Sequence, residues 1–168
     1  HSVMKPPAWL LADIVALGAV YRLIVPPDYE DHNKHMNMRH YLAVFDDAWE
    51  PVKADFGLTP DFLKANQAGG YDLEHHTHFL AEVMIGDEIA VYLRLVGRSA
   101  KRVHYLLFMV NETRGKLAAI FECVNAYADL SIRRTAPFPP HAADAMDAML
   151  VRHQALDWDA PGSGVMGA

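Results

Sequence analysis

A chain of 168 residues that is 52% hydrophobic can bury a sizeable core within one domain. With 21% charged residues and a net charge of −6 it offers no broad basic surface to a phosphate backbone, so no nucleic-acid partner is expected. The lone cysteine, Cys123, excludes an intrachain disulfide and a CxxC metal knuckle, and a buried free thiol suits a cytoplasmic location.

His1-Ser2-Val3 precede Met4 and are set aside. The apolar run from Ala8 to Tyr21 is interrupted by Asp13, is shorter than the roughly 20 residues of a spanning helix, and lacks the features of a signal peptide, so no membrane partner is expected. Val20 to Val25 reads as a strand stopped by Pro26-Pro27, and the polar loop Asp28 to Met36 follows. Asn37 is placed to N-cap the next helix. That helix carries Tyr41, Val44, Phe45, Ala48, Trp49, Val52 and Phe56 at spacings of three and four, a wide apolar stripe that marks a core helix. Pro51 predicts a kink or a division within it, Gly57 its end, and Thr59 to Ala65 one or two further helical turns.

After Gly69-Gly70 the period changes. Leu73 to Met84, Glu88 to Arg98, Lys101 to Val110 and Lys116 to Leu130 read as long strands separated by short turns containing Gly86-Asp87, Arg98-Ser99-Ala100 and Thr113-Arg114-Gly115, predicting an antiparallel meander. In the second run Ile89, Val91, Leu93 and Leu95 alternate with Ala90, Tyr92, Arg94 and Val96, predicting one apolar face and one mixed face. His141 to Gln154 predicts a second amphipathic helix through Ala142, Ala145, Met146, Met149 and Leu150. The order of elements gives an α+β class in which a sheet wraps a central helix, with an added C-terminal helix. The expected boundaries are a single domain over residues 4–160 and a flexible Gly-rich tail over 161–168. No GxGxxG turn or P-loop occurs, so neither a dinucleotide fold nor a nucleotide triphosphatase is supported.

Chemistry concentrates in Asp31-His32-Asn33-Lys34-His35-Met36-Asn37-Met38-Arg39-His40-Tyr41. A helix start presents unpaired N–H groups that can hold a developing oxyanion, and a carboxylate beside it can attack or activate water. Helix capping by Asp31 is the competing role. His35 and Asn37 can orient that carboxylate or touch the reacting group, or serve only as loop and cap residues. Arg98, Lys101 and Arg102 flank a tight turn and can grip the phosphates of a small ligand, or form a solvated hairpin tip. Five histidines, His32, His35, His75, His76 and His78, raise a metal site, but no HExxH pair is present.

The loop resembles that of the hotdog-fold acyl-CoA thioesterases, D-x-x-G-H-V/M-N-x-x-x-Y, in the 4-hydroxybenzoyl-CoA thioesterase-like superfamily. Asp31, His35, Met36, Asn37 and Tyr41 match in register, and Lys34 stands where the family usually has glycine. Tyr71-Asp72-Leu73-Glu74-His75-His76-Thr77-His78, Gly86-Asp87 and Lys101-Arg102-Val103-His104 look like the betainyl-CoA thioesterase branch, which serves carnitine breakdown. The resemblance implies a hotdog fold and an acyl-CoA substrate. It further implies a metal-free site without a cofactor other than coenzyme A as part of that substrate, and a homodimer or homotetramer. It makes Asp31 the nucleophile or general base, with His35 and Asn37 beside it and the oxyanion donor a backbone N–H near Met38. Tyr41 belongs to the same motif and is expected to line the substrate site. Glu74 and His76 would face the acyl group, where a carboxylate attracts trimethylammonium and Tyr71 or Trp49 adds cation–π attraction. Arg98, Lys101 and Arg102 would hold the coenzyme A phosphates. Two other readings remain open: an enoyl-CoA hydratase or dehydratase, whose D-x-N-x-x-H loop places its histidine one residue later, and a non-catalytic acyl-CoA-binding module.

Overall fold

Prolines, glycines and hydrophobic period divide the chain much as its structure does. The computed structural model describes residues 10–168; the expected domain start at Met4 and the first residues of the Ala8–Tyr21 run lie outside the described residues. Helix α1 (Leu10–Ala16) buries Leu10 and Ile14 and leads into strand β1 (Ala19–Ile24). The long helix α2 (Met38–Asp55) and the short α3 (Pro60–Ala65) follow, the latter capped by Thr59, whose side chain accepts from the Phe62 N–H at 3.1 Å. The strands are β2 (Ala68–Phe79), β3 (Glu88–Arg98), β4 (Arg102–Asn111), β5 (Lys116–Asp129) and the short β6 (Arg134–Thr135), and helix α4 (Pro140–Gln154) comes last. No helix of the described residues is long and apolar enough to cross a membrane.

The sheet runs β1-β3-β4-β5-β2, with β6 paired to β5. Strands β3, β4 and β5 form the expected meander, but β2 lies outside β5 instead of beside β3, which corrects a four-strand meander in chain order. Main-chain bonds from Leu130 to Gln67 and from Leu80 to Ala118 tie opposite ends of β2 and β5, so this pair is antiparallel. Antiparallel β1 pairs with β3, leaving β1 and β2 as the edges.

Two further expectations change. Helix α2 is unbroken through Pro51. Proline removes one ladder bond, but Ala48, Trp49 and Val52 around it and Phe56 just beyond are all buried, and that anchorage outweighs the lost bond. Strand β3 buries both faces from Ile89 to Leu95, and the polar groups of its mixed face are satisfied there: the Tyr92 hydroxyl donates to Glu112 at 2.8 Å and Arg94 donates to the Trp158 carbonyl.

The chain packs as two compact units, to both of which α2 and strands β2 to β5 contribute. The first holds the described residues up to Ala48 together with Thr77–Leu93 and Leu107–Phe121. In it Phe45 of α2 stacks on Phe121 of β5 with ring centroids 5.0 Å apart. The second holds Trp49–His76, Arg94–Leu106 and Glu122–Ala168. There Trp49 of α2 stacks on Tyr105 of β4 at 3.9 Å, and α4 buries Ala142, Met146 and Leu150. Cys123 is buried, and Ser163, in the segment expected to be a flexible tail, donates its N–H to Glu122 at 2.7 Å. An antiparallel sheet packed against one long helix, with a helix added at the C-terminus, is the α+β hotdog arrangement that the resemblance implies.

Candidate active site

Asp31 closes its own loop. Its Oδ1 accepts the N–H of Asn33 at 2.8 Å and of His35 at 3.1 Å, while its N–H donates to the His35 carbonyl at 2.8 Å. These bonds force the intervening chain through a left-handed residue, and Lys34 takes it with φ at 63°. The position usually held by glycine therefore keeps a glycine-like backbone although it carries a lysine. Tyr29 stacks on His40 of α2 at 4.1 Å, and the Asn37 N–H donates to the Tyr29 carbonyl, which seats the loop on the helix start.

The helix entry follows the capping expectation. Asn37 Oδ1 accepts from the Arg39 N–H at 3.1 Å and from Arg39 Nε at 3.2 Å. The Met38 N–H takes no partner among the described residues, and neither does Asp31 Oδ2. A carboxylate oxygen and a helix-start donor are thus both available to a ligand.

Across the cleft lies the segment after β2. The Met36 N–H donates to the Val83 carbonyl at 2.8 Å, and His35 pairs with Met84 in an isolated bridge. Buried Asp87 holds this segment in place, its Oδ2 accepting from the Met84 N–H, Asn111 Nδ2 and Arg114 Nε at 2.8 to 2.9 Å. The result is an open cleft of about 440 Å³ lined by Asp31, His35, Met36, Met38, Tyr41, Phe79, Leu80, Ala81, Glu82 and Val83. A second hollow, under Trp49 and Phe56, measures about 20 Å³ and has room for little more than one water.

Charge in the cleft is one-sided. Asp31 and Glu82 contribute carboxylates, and no lysine or arginine lines it. The N–H of Asn33, then that of His35 and the nearby His35 and His32, hold the Asp31 carboxyl below its usual value of 3.8, against a smaller opposing effect of desolvation. The buried Tyr41 hydroxyl is pushed above 10.0 by burial and then by the charges of Glu82 and Asp31. Glu82 also faces His35 Nε2 at 3.7 Å, and Tyr41 meets Phe79 edge to face at 5.0 Å.

Of the expected site residues, Asp31, His35, Met38 and Tyr41 line this cleft, and Asn37 caps the helix beside it. Trp49, Tyr71, Glu74, His76, Arg98, Lys101 and Arg102 belong to the second unit and are not among the lining residues. Trp49 is buried against Tyr105, and Glu74 pairs with His76 at 3.4 Å on β2. Arg98 is held by both oxygens of Asp147 at 2.6 and 2.8 Å, whereas Lys101 and Arg102 are exposed. Sequence reasoning missed Phe79 and Glu82. Both lie in a run read as continuous strand to Met84, and only the early end of β2 at Phe79 turns them toward Asp31.

The family profile described as thioesterase-like superfamily matches residues 25–146, which include the Asp31 loop, α2 and all the long strands of the sheet after β1. The chain belongs to the thioesterase-like superfamily. This thioesterase is 30% identical over 136 residues to a betainyl-CoA thioesterase of Pseudomonas aeruginosa, covering 81% of its own length and 86% of the relative. It is 32% identical over 135 residues to an L-carnitine dehydrogenase/betainyl-CoA thioesterase of Agrobacterium fabrum, covering 80% of this chain and 28% of that larger protein. In structure it is similar to a hypothetical protein of Staphylococcus aureus characterised in complex with CoA, at TM-score 0.77 and 25% identity, covering 83% and 87% of the two chains. A 1,4-dihydroxy-2-naphthoyl-CoA thioesterase of Synechocystis shares the fold at TM-score 0.68 and 19% identity, covering 76% and 93%. The enzyme is a thioester hydrolase of the acyl-CoA thioesterase type.

Proposed function

We propose that this thioesterase hydrolyses a short, polar acyl-CoA, with betainyl-CoA as the candidate and Asp31 as the essential group. The observation that carries the reading is the Asp31 carboxylate itself, tethered at Oδ1 by two main-chain N–H groups and lining a cleft beside a helix start. A carboxyl held below its ordinary value stays anionic at neutral pH, as direct attack on the thioester carbon requires. In this mechanism Asp31 Oδ2 bonds to the thioester carbon and the carbonyl oxygen becomes an oxyanion facing the Met38 N–H. Collapse then breaks the C–S bond, expels coenzyme A as thiolate and leaves an acyl-aspartyl anhydride for water to cleave. The acyl candidate is supported by the names of the two relatives above. A homodimer is part of the same reading, supported by the exposed edge strand β2, on which Leu73 and Phe79 are open to solvent.

Thiol release from betainyl-, acetyl-, benzoyl- and long-chain acyl-CoA tests the reading. Wild type turns over one ester rapidly, and Asp31→Ala loses at least about a thousandfold in kcat/KM. Acid-quenched single turnovers with labelled acyl group leave label on the wild-type protein. Silence toward the whole panel, with binding retained, would make the protein an acyl-CoA-binding module.

A further inference from the structure

The acyl group proposed above carries a permanent positive charge very near the reacting carbon. In a betainyl thioester the quaternary nitrogen lies two bonds from that carbon, about 2.5 Å away, so whatever reads the charge shares the cleft with the attacking carboxylate. Asp31 is committed to the carbonyl. Glu82 is the other acidic residue lining the cleft, and it arrives from a different part of the chain, beyond β2.

Its surroundings suit a trimethylammonium group. The Glu82 side chain is 73% exposed and faces the cleft across from His35. The rings of Phe79 and Tyr41, edge to face at 5.0 Å, supply the apolar and aromatic wall on which methyl groups of a quaternary ammonium rest. Burial first, and then the charges of Glu82 and Asp31, raise the Tyr41 hydroxyl, in keeping with two carboxylates beside that wall. No lysine or arginine lines the cleft to cancel them; the imidazole of His35, 3.7 Å from Glu82, is the one basic ring there. An acyl group with a carboxylate of its own would be repelled, and a neutral one would gain nothing from the field.

We infer that Glu82, with the rings of Phe79 and Tyr41, is the acyl-specificity site of this thioesterase and selects a quaternary-ammonium acyl group over an uncharged one of the same shape. The inference rests on the betainyl reading and assigns it residues.

Betainyl-CoA and 3,3-dimethylbutanoyl-CoA separate charge from shape, because a carbon replaces the quaternary nitrogen in an otherwise matching acyl group. Each ester is taken relative to its own uncatalysed hydrolysis, since the quaternary nitrogen itself activates the carbonyl. On that scale wild type should favour the cationic ester in kcat/KM by about tenfold, the scale of one close carboxylate–ammonium contact backed by aromatic rings. In Glu82→Gln that ratio falls toward one, with the loss in KM for the cationic ester, and Glu82→Asp, which keeps the charge, retains the preference. If Glu82 served only to position His35, both esters would slow in proportion and the ratio would stay at its wild-type value. That unchanged ratio overturns the role of Glu82 and leaves the betainyl reading standing. A wild-type ratio of one or below overturns the cationic-acyl reading and this inference with it.

Discussion

A carboxylate that accepts two main-chain N–H bonds is stabilised as the anion, and the bonds to Asp31 come from its own turn. Because its folded value lies below 3.8, the active anion persists as pH falls through the range where an ordinary aspartate protonates. The acid limb of kcat/KM should therefore lie below pH 3.8, and an inflection between pH 4 and 6 assigned to Asp31 would contradict the tether. Lys34 gives a second test. A non-glycine residue in the left-handed region costs about 1 kcal/mol, so Lys34→Gly should stabilise the protein by up to about that amount in urea unfolding. Asp31, His35, Met38 and Tyr41 were legible in the sequence because they follow one another within a single turn and helix start. Glu82 was not, because its link to Asp31 is a main-chain bond between Met36 and Val83, and such bonds leave no mark in residue type.

Helix α4 is fastened to β3 by polar groups that ordinarily stay in water. Arg94 lies 4.1 Å over the buried Trp158 ring and donates to the Trp158 carbonyl at 2.5 Å, while His153 Nδ1 accepts the Leu95 N–H at 2.8 Å. Burial, then the charges of Arg94 and Arg152, hold His153 down at about 4. The unfolded chain takes up that proton near 6.5, whereas the folded chain does so only near 4, so this contribution to stability is present above pH 6.5 and is lost as pH falls toward 4. After solvent screening the loss is about 1–2 kcal/mol. His153→Gln, which can still accept from Leu95, should flatten the stability curve across that window, as followed by urea titration at several pH values. Trp158→Ala should cost about 3 kcal/mol by the same assay, since it opens a cavity and strips the ring from a buried guanidinium. Element boundaries were legible where period and turns agreed, as in β3. Strand β2 began earlier than expected because Gly69 and Gly70 are strand residues: an added Cβ would meet Leu130 at 3.2 Å and Asn125 at 3.1 Å, so glycine here marks close packing rather than a turn.

At the scale of the whole molecule, the class of fold was legible because one amphipathic helix followed by long strands leaves few ways to bury both. The strand order was not, since β2 must choose between β3 and β5 through contacts distant in sequence. Its exposed edge makes the solution mass informative. Light scattering at micromolar concentration should give at least twice the 18.8 kDa chain mass, and a fully active monomer would refute the dimer.

The bracket that carries Phe79 and Glu82 is made of backbone, pinned at its far end by the Asp87 carboxylate. Leu80 and Ala81 donate to the Ala118 carbonyl, Met36 donates to Val83, and Asp87 receives the Met84 N–H. None of these bonds depends on which side chains stand between Phe79 and Val83. That short span is therefore free to drift. If this span reads the acyl group as proposed above, descendants of such an enzyme can exchange its residues and acquire new acyl groups while the Asp31 loop is inherited untouched.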